Sequence, residues 1–153
     1  MHLLDFPSSS SSSFIKGDSK TCDLLNSYNP TAIVVVFAVD DRRSLERAGS
    51  VLAILRREGR LVNKVGVLVA NKTDLVRSRV VTEEEGKTLS RRYDLSYMET
   101  STAIRYNVDE LLVMILKKVQ EVLNKEQNIK TRKISVTDRI KDLVVRKHSR
   151  DDH

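Results

Sequence analysis

Asn71, Lys72 and Asp74 are the residues of this chain whose types and spacing best suit ligand chemistry. They directly follow the apolar run Val65-Gly66-Val67-Leu68-Val69-Ala70 and precede Leu75. A buried strand that ends in Asn-Lys-Thr-Asp puts these side chains at the carboxyl edge of a parallel sheet. That edge is where open α/β sheets bind ligands. A carboxylate there accepts two hydrogen bonds from the N1 and exocyclic amino group of guanine. Adenine lacks that donor pair, so an Asp at this place selects the base. Lys72 can lay its alkyl stem on a purine face, and Asn71 can brace neighbouring loops through its amide.

Little else in the sequence points to covalent or metal chemistry. His2, His148 and His153 have no metal-ligand spacing, and Cys22 is the single cysteine. No Ser/His/Asp or Cys/His arrangement suggests a nucleophile, so we expect no catalytic residue and no metal site. No G-x-x-x-x-G-K-[ST] motif occurs. Gly17-Asp18-Ser19-Lys20 lacks its spacing and a preceding strand. Without that loop there is no backbone nest for a β-phosphate and no hydroxyl for magnesium. Tight GTP or GDP binding, magnesium binding and hydrolysis are therefore not expected of these residues.

The elements that must carry Asn71–Asp74 read as alternating strands and helices. Ile33-Val34-Val35-Val36-Phe37-Ala38-Val39 is a continuous apolar run, as in a central parallel strand. Asp40-Asp41 marks a helix start, and Leu45, Ala48, Leu52 and Leu55 recur at helical spacing up to Gly59. After the second strand, Thr82-Glu83-Glu84-Glu85 is a capping box that opens a helix to about Tyr93, with Leu89 and Tyr93 inward. Leu95–Met98 is a short third strand. From Asp109, the residues Leu111, Leu112, Ile115, Val119, Val122 and Leu123 define a long amphipathic helix. This order implies an α/β fold with a parallel sheet and right-handed crossovers.

Charge is unevenly placed. The chain has 153 residues and a net charge of +6; from Lys117 to His153 there are eleven Lys/Arg against six Asp/Glu. The core carries little excess charge, which argues against a nucleic-acid face. In the tail, Arg132-Lys133-Ile134-Ser135 suits a basophilic kinase, making Ser135 a candidate phosphosite. Val136, Ile140, Leu143 and Val144 then form an apolar stripe with basic flanks. Such a helix lies on anionic membranes or enters calmodulin. The six serines Ser8–Ser13 cannot bury apolar surface and read as a flexible linker.

The segment from Tyr28 to Leu123 resembles the C-terminal half of a Ras-like small GTPase. Val65–Leu75 is similar to that family's guanine-specificity strand and loop, and Glu99-Thr100-Ser101-Thr102-Ala103 to its last nucleotide loop. Asp74-Leu75-Val76-Arg77-Ser78-Arg79-Val80-Val81 and Asn107-Val108 resemble the RGK subfamily, Ras-like proteins that inhibit voltage-gated calcium channels. The resemblance implies an incomplete Ras-like doubly wound, mostly parallel sheet with helices on both faces, plus a basic helical tail. It divides the chain into an irregular segment at 1–27, a partial GTPase domain at 28–125 and the tail at 126–153.

It also adds Ser101, Thr102 and Ala103 to the guanine-binding set, with Ala103 standing where most Ras proteins have Lys. Leu3-Leu4-Asp5-Phe6-Pro7-Ser8 resembles the third strand and its turn, so Asp5 is a candidate remnant of switch II. Implied partners are voltage-gated calcium channel subunits, calmodulin, phosphoserine adaptor proteins and anionic membrane. The implied location is cytoplasmic and peripheral at the plasma membrane. In the family fold another strand lies beside Ile33–Val39. Lacking it, this strand is expected to leave a hydrophobic edge open.

Overall fold

A computed structural model describes residues 29–125 and 127. Three parallel strands form one sheet in the order β1-β2-β3, with β1 at Ala32–Ala38, β2 at Val65–Asn71 and β3 at Ser96–Glu99. Helix α1 (Arg42–Arg57) joins β1 to β2, and α2 (Glu83–Arg92) joins β2 to β3. A short 3-10 turn, Val76–Ser78, precedes α2. Helix α3 begins at 108 and is described to 125. Helices flank both faces of the sheet.

Register decides which side chains meet. Val35 pairs with Leu68 and Leu68 with Tyr97, so these three share a face. On that face Phe37, Leu68 and Ala70 pack with Ala48, Leu52 and Leu55 of α1, and Leu89 of α2 and Tyr97 join them. Leu52 and Leu68 are fully buried; each such side chain contributes about 1.5–3 kcal/mol of hydrophobic stabilisation. On the opposite face Val65, Val67 and Val69 are also buried. The central strand is thus covered on both sides, as its uninterrupted apolar sequence requires.

Strand β1 differs from the central position its composition suggested. Among the described residues it is an edge, and Val34 and Val36 are 39% and 56% exposed. Among the described residues no strand pairs with its outer edge. Helix α3 also departs from the sequence reading: Leu112 and Leu123 are exposed, while Leu111 and Ile115 are half-buried. One helical turn separates 111 from 115, so they share a face that 112 turns away from.

The helix ends follow local chemistry. Asp41 caps α1 by accepting from the Arg43 N–H at 2.9 Å. Gly59 closes it with φ of 68°, while Gly59 N–H donates to Arg56 O and Arg60 N–H to Leu55 O. That is a Schellman motif, whose left-handed residue favours glycine. The capping box of α2 is complete: Thr82 Oγ1 accepts from Glu85 N–H, and Glu85 Oε2 accepts from Thr82 N–H at 2.8 Å. Gly86 lets α2 lie directly on Tyr97, where an added Cβ would meet the ring at 2.5 Å.

Candidate functional site

Strands β1, β2 and β3 run parallel, so their carboxyl ends open on one edge of the sheet. Val39 N–H donates to Asn71 O at 3.0 Å, and Thr100 N–H to Ala70 O at 2.8 Å. These bonds draw the chain after each strand towards its neighbour. The edge thereby gathers Asp40, the run Asn71–Asp74 and the loop Thr100–Ala103.

The two loops lock together through side chains. Ser101, fully buried, donates its hydroxyl proton to Asp74 Oδ1 in a short hydrogen bond. Asn71 Oδ1 accepts from the Thr102 N–H at 3.3 Å and from Thr100 Oγ1 at 3.4 Å. Thr73 donates both its N–H and its hydroxyl to Thr100 O, at 3.2 and 3.0 Å. The far end of the second loop is closed by reciprocal Ser101–Tyr106 backbone bonds and by Asn107 Nδ2 donating to Glu99 O. Asp74 keeps acceptor capacity, since an ionised carboxylate has about four lone-pair sites and Ser101 uses one. Such an arrangement offers a fixed pair of carboxylate oxygens beside the backbone of a short, braced loop.

Asn71, Asp74, Ser101 and Thr102 therefore come together, and Ala103 follows exposed in the same loop. Asn71 braces the loops as its residue type suggested. Lys72 sits between them in sequence, and its side chain reaches across the same edge to Asp40. Its backbone is left-handed, with φ of 66°, and its Nζ donates to Asp40 Oδ2 at 3.0 Å. Asp40 and Asp41 thus do different work: Asp41 caps the helix, whereas Asp40 holds a lysine 32 positions away. Asp5 and Ser135 lie outside the described residues. Among the described residues no three His, Cys, Asp or Glu side chains converge so as to hold a metal ion. Nor is any described helix long and apolar enough to cross a membrane.

A second network, missed in the sequence, supports the Thr100–Ala103 loop from below. Arg79 forms a bidentate pair with Glu99, both bonds 2.9 Å, and also donates to Val81 O. Tyr97 donates its hydroxyl to Glu99 Oε1 at 2.9 Å. Burial pushes the Glu99 carboxyl up, but the hydrogen bonds from Arg79 and Tyr97 outweigh it and hold it below the usual value. The Glu99 bond raises Arg79, and burial followed by the Glu99 bond raises Tyr97. The alternation of Tyr97 and Glu99 on one face of β3 was a usable signal for half of this network. Arg79 lies in an irregular loop, where no periodicity assigns a direction.

The sequence pattern of the Ras family matches residues 21–121. The GTP-binding protein GEM of Pongo abelii is 38% identical over 89 residues, 58% of this chain and 30% of that protein. The GTP-binding protein RAD of Homo sapiens is 36% identical over 89 residues, covering 58% and 29%. The GTP-binding protein Rit1 of Mus musculus is 32% identical over 96 residues, covering 63% and 42%. The chain thus spans less than half the length of these curated relatives. Over that part it is homologous to RGK-like GTPases. The family match runs through all three strands and both loops of the edge just described, and by it the chain belongs to the Ras family.

Proposed function

We propose that the sheet edge recognises the guanine base of GTP or GDP. The observation that carries this reading is the joining of the two loops, Asp74 to Ser101 and Asn71 to Thr102. With Ser101 holding one carboxylate oxygen, Asp74 is oriented before a ligand arrives. It then accepts from the N1 and amino group of guanine. The backbone N–H of Ala103 offers a donor for the base oxygen whatever its side chain, while the Thr102 N–H is engaged by Asn71 Oδ1. Lys72 supplies apolar stem for the purine face.

Equilibrium titration of purified chain with guanosine, adenosine, GDP and GTP tests the reading. Guanosine should bind and adenosine should not. Asp74→Asn removes the charge and one acceptor oxygen. A charge-assisted hydrogen bond is worth about 1.5–3 kcal/mol, so guanosine affinity should fall about ten- to hundredfold. Equal binding of the two nucleosides, or an unchanged Asp74→Asn variant, refutes it.

At a finer level, the resemblance to RGK proteins supports a regulatory role at voltage-gated calcium channels. The basic segment around Ser135 would then engage anionic membrane, calmodulin or a phosphoserine adaptor. Co-expression with a channel should reduce the patch-clamp current, and an unchanged current removes this assignment. The domain division at 28 and 125 belongs to the same reading.

A further inference from the structure

The Lys72–Asp40 pair points to a property of the site beyond base recognition, and it rests on the guanine reading above. Lys72 is the one lysine in the Asn71–Asp74 run, and its ammonium is 3.0 Å from Asp40 Oδ2. The lysine side chain is about half exposed at 49%, the aspartate only 22%. Asp40 Oδ1 is buried and has no hydrogen-bond partner among the described residues. A carboxylate so poorly compensated keeps a strong demand for the cation beside it. The backbone bond from Val39 to Asn71 fixes the two residues' approach from opposite strands.

We propose that Asp40 is a specificity-determining positioning residue: by neutralising Lys72 it makes this edge select the guanine base while remaining nearly indifferent to attached phosphates. A free lysine at a base site attracts any anion near it. Phosphates attached to a base held at this edge lie within one Debye length of Lys72 at low salt, about 30 Å at 0.01 M, in whichever direction they extend. Pairing with Asp40 cancels that attraction locally and leaves the alkyl stem in place. The ligand class favoured is then guanine as such, whether nucleoside, monophosphate or diphosphate.

The test is the ratio of GDP affinity to guanosine affinity, measured by calorimetry on the full chain. In the wild type the ratio should stay within a few-fold of one. Asp40→Asn adds one net positive charge opposite about three negative ones, raising the ratio roughly three- to tenfold at low salt. Lys72→Gln leaves Asp40 unopposed and should lower the ratio by a similar factor, and the double variant should restore it. Asp40→Glu keeps the charge and should leave the ratio unchanged. Both single-variant shifts should collapse in 1 M salt, where the Debye length is about 3 Å. A merely structural role for Asp40 would weaken GDP and guanosine together and leave the ratio flat. A flat ratio in both single variants, with circular dichroism showing them folded, overturns the proposal while guanosine binding stands. Should Asp40→Asn not fold, a flat ratio in Lys72→Gln overturns it alone. Absence of guanosine binding by the wild type overturns the base reading, and this one with it.

Discussion

Replacing Arg79 with Met should destabilise the chain measurably and alter its response to acid. Arg79 makes three hydrogen bonds, two of them charge-assisted to Glu99. The side chains are 25% and 21% exposed, so water compensates only part of the loss. Removing one partner of a fully buried pair costs about 3–5 kcal/mol. Discounted for that exposure and for the Tyr97 bond that remains, the expected loss is about 2–3 kcal/mol. For a chain of this size 1 kcal/mol is about 2–4 °C in Tm, giving a drop of about 4–12 °C. A double-mutant cycle with Glu99→Gln should return a coupling of about 1–2 kcal/mol. The pH dependence has a fixed sign. Glu99 is held below its usual value in the fold, so its contribution is fully present above the unfolded pKa of about 4.3. That contribution disappears as pH falls through the lower folded value. Melting curves from pH 7 to pH 3 should therefore show wild type and Arg79→Met converging below about pH 4.5. An equal Tm difference at pH 7 and pH 3, or a coupling under about 0.5 kcal/mol, refutes the reasoning.

Two further outcomes test the elements that position the edge. Gly86→Ala places a Cβ 2.5 Å from the Tyr97 ring, a close-packed partner held by its bond to Glu99. The clash should outweigh alanine's better helix propensity and cost about 1–3 kcal/mol in denaturant unfolding; a stabilised variant contradicts the packing. Thr82→Ala breaks the capping box. The Glu85 carboxyl, held down to about 2 by the Thr82 N–H and then by Arg42, should titrate higher once the hydroxyl is gone. An unchanged carboxyl titration by NMR would assign the depression to the backbone bond and Arg42 alone.

Much of this architecture is legible one segment at a time. The apolar run Val65–Ala70 is a strand buried on both faces, Thr82 and Glu85 close a capping box, and Gly59 ends α1 in the left-handed conformation. Each of these depends on residues within a few positions of one another, so backbone sterics and hydrogen bonding decide them wherever the segment lies. Asn71-Lys72-Thr73-Asp74 is legible in the same way as a polar run that a strand must present at the sheet's edge.

What those residues touch is a different matter. Asp74 meets Ser101 27 positions away, Lys72 meets Asp40 32 positions back, and Arg79 meets Glu99 20 positions on. The sequence read Asp40 as part of a helix start and left Arg79 without a role. Partners at such separations are chosen by strand order and register, which place the ends of three strands side by side. Local propensity carries no record of that choice. Sequence alone determined that this chain offers an Asn, a Lys and an Asp at the end of a buried strand. Tertiary structure alone decided that Ser101 orients the Asp, that Asp40 holds the Lys, and that the Arg79–Glu99 pair supports the loop between them.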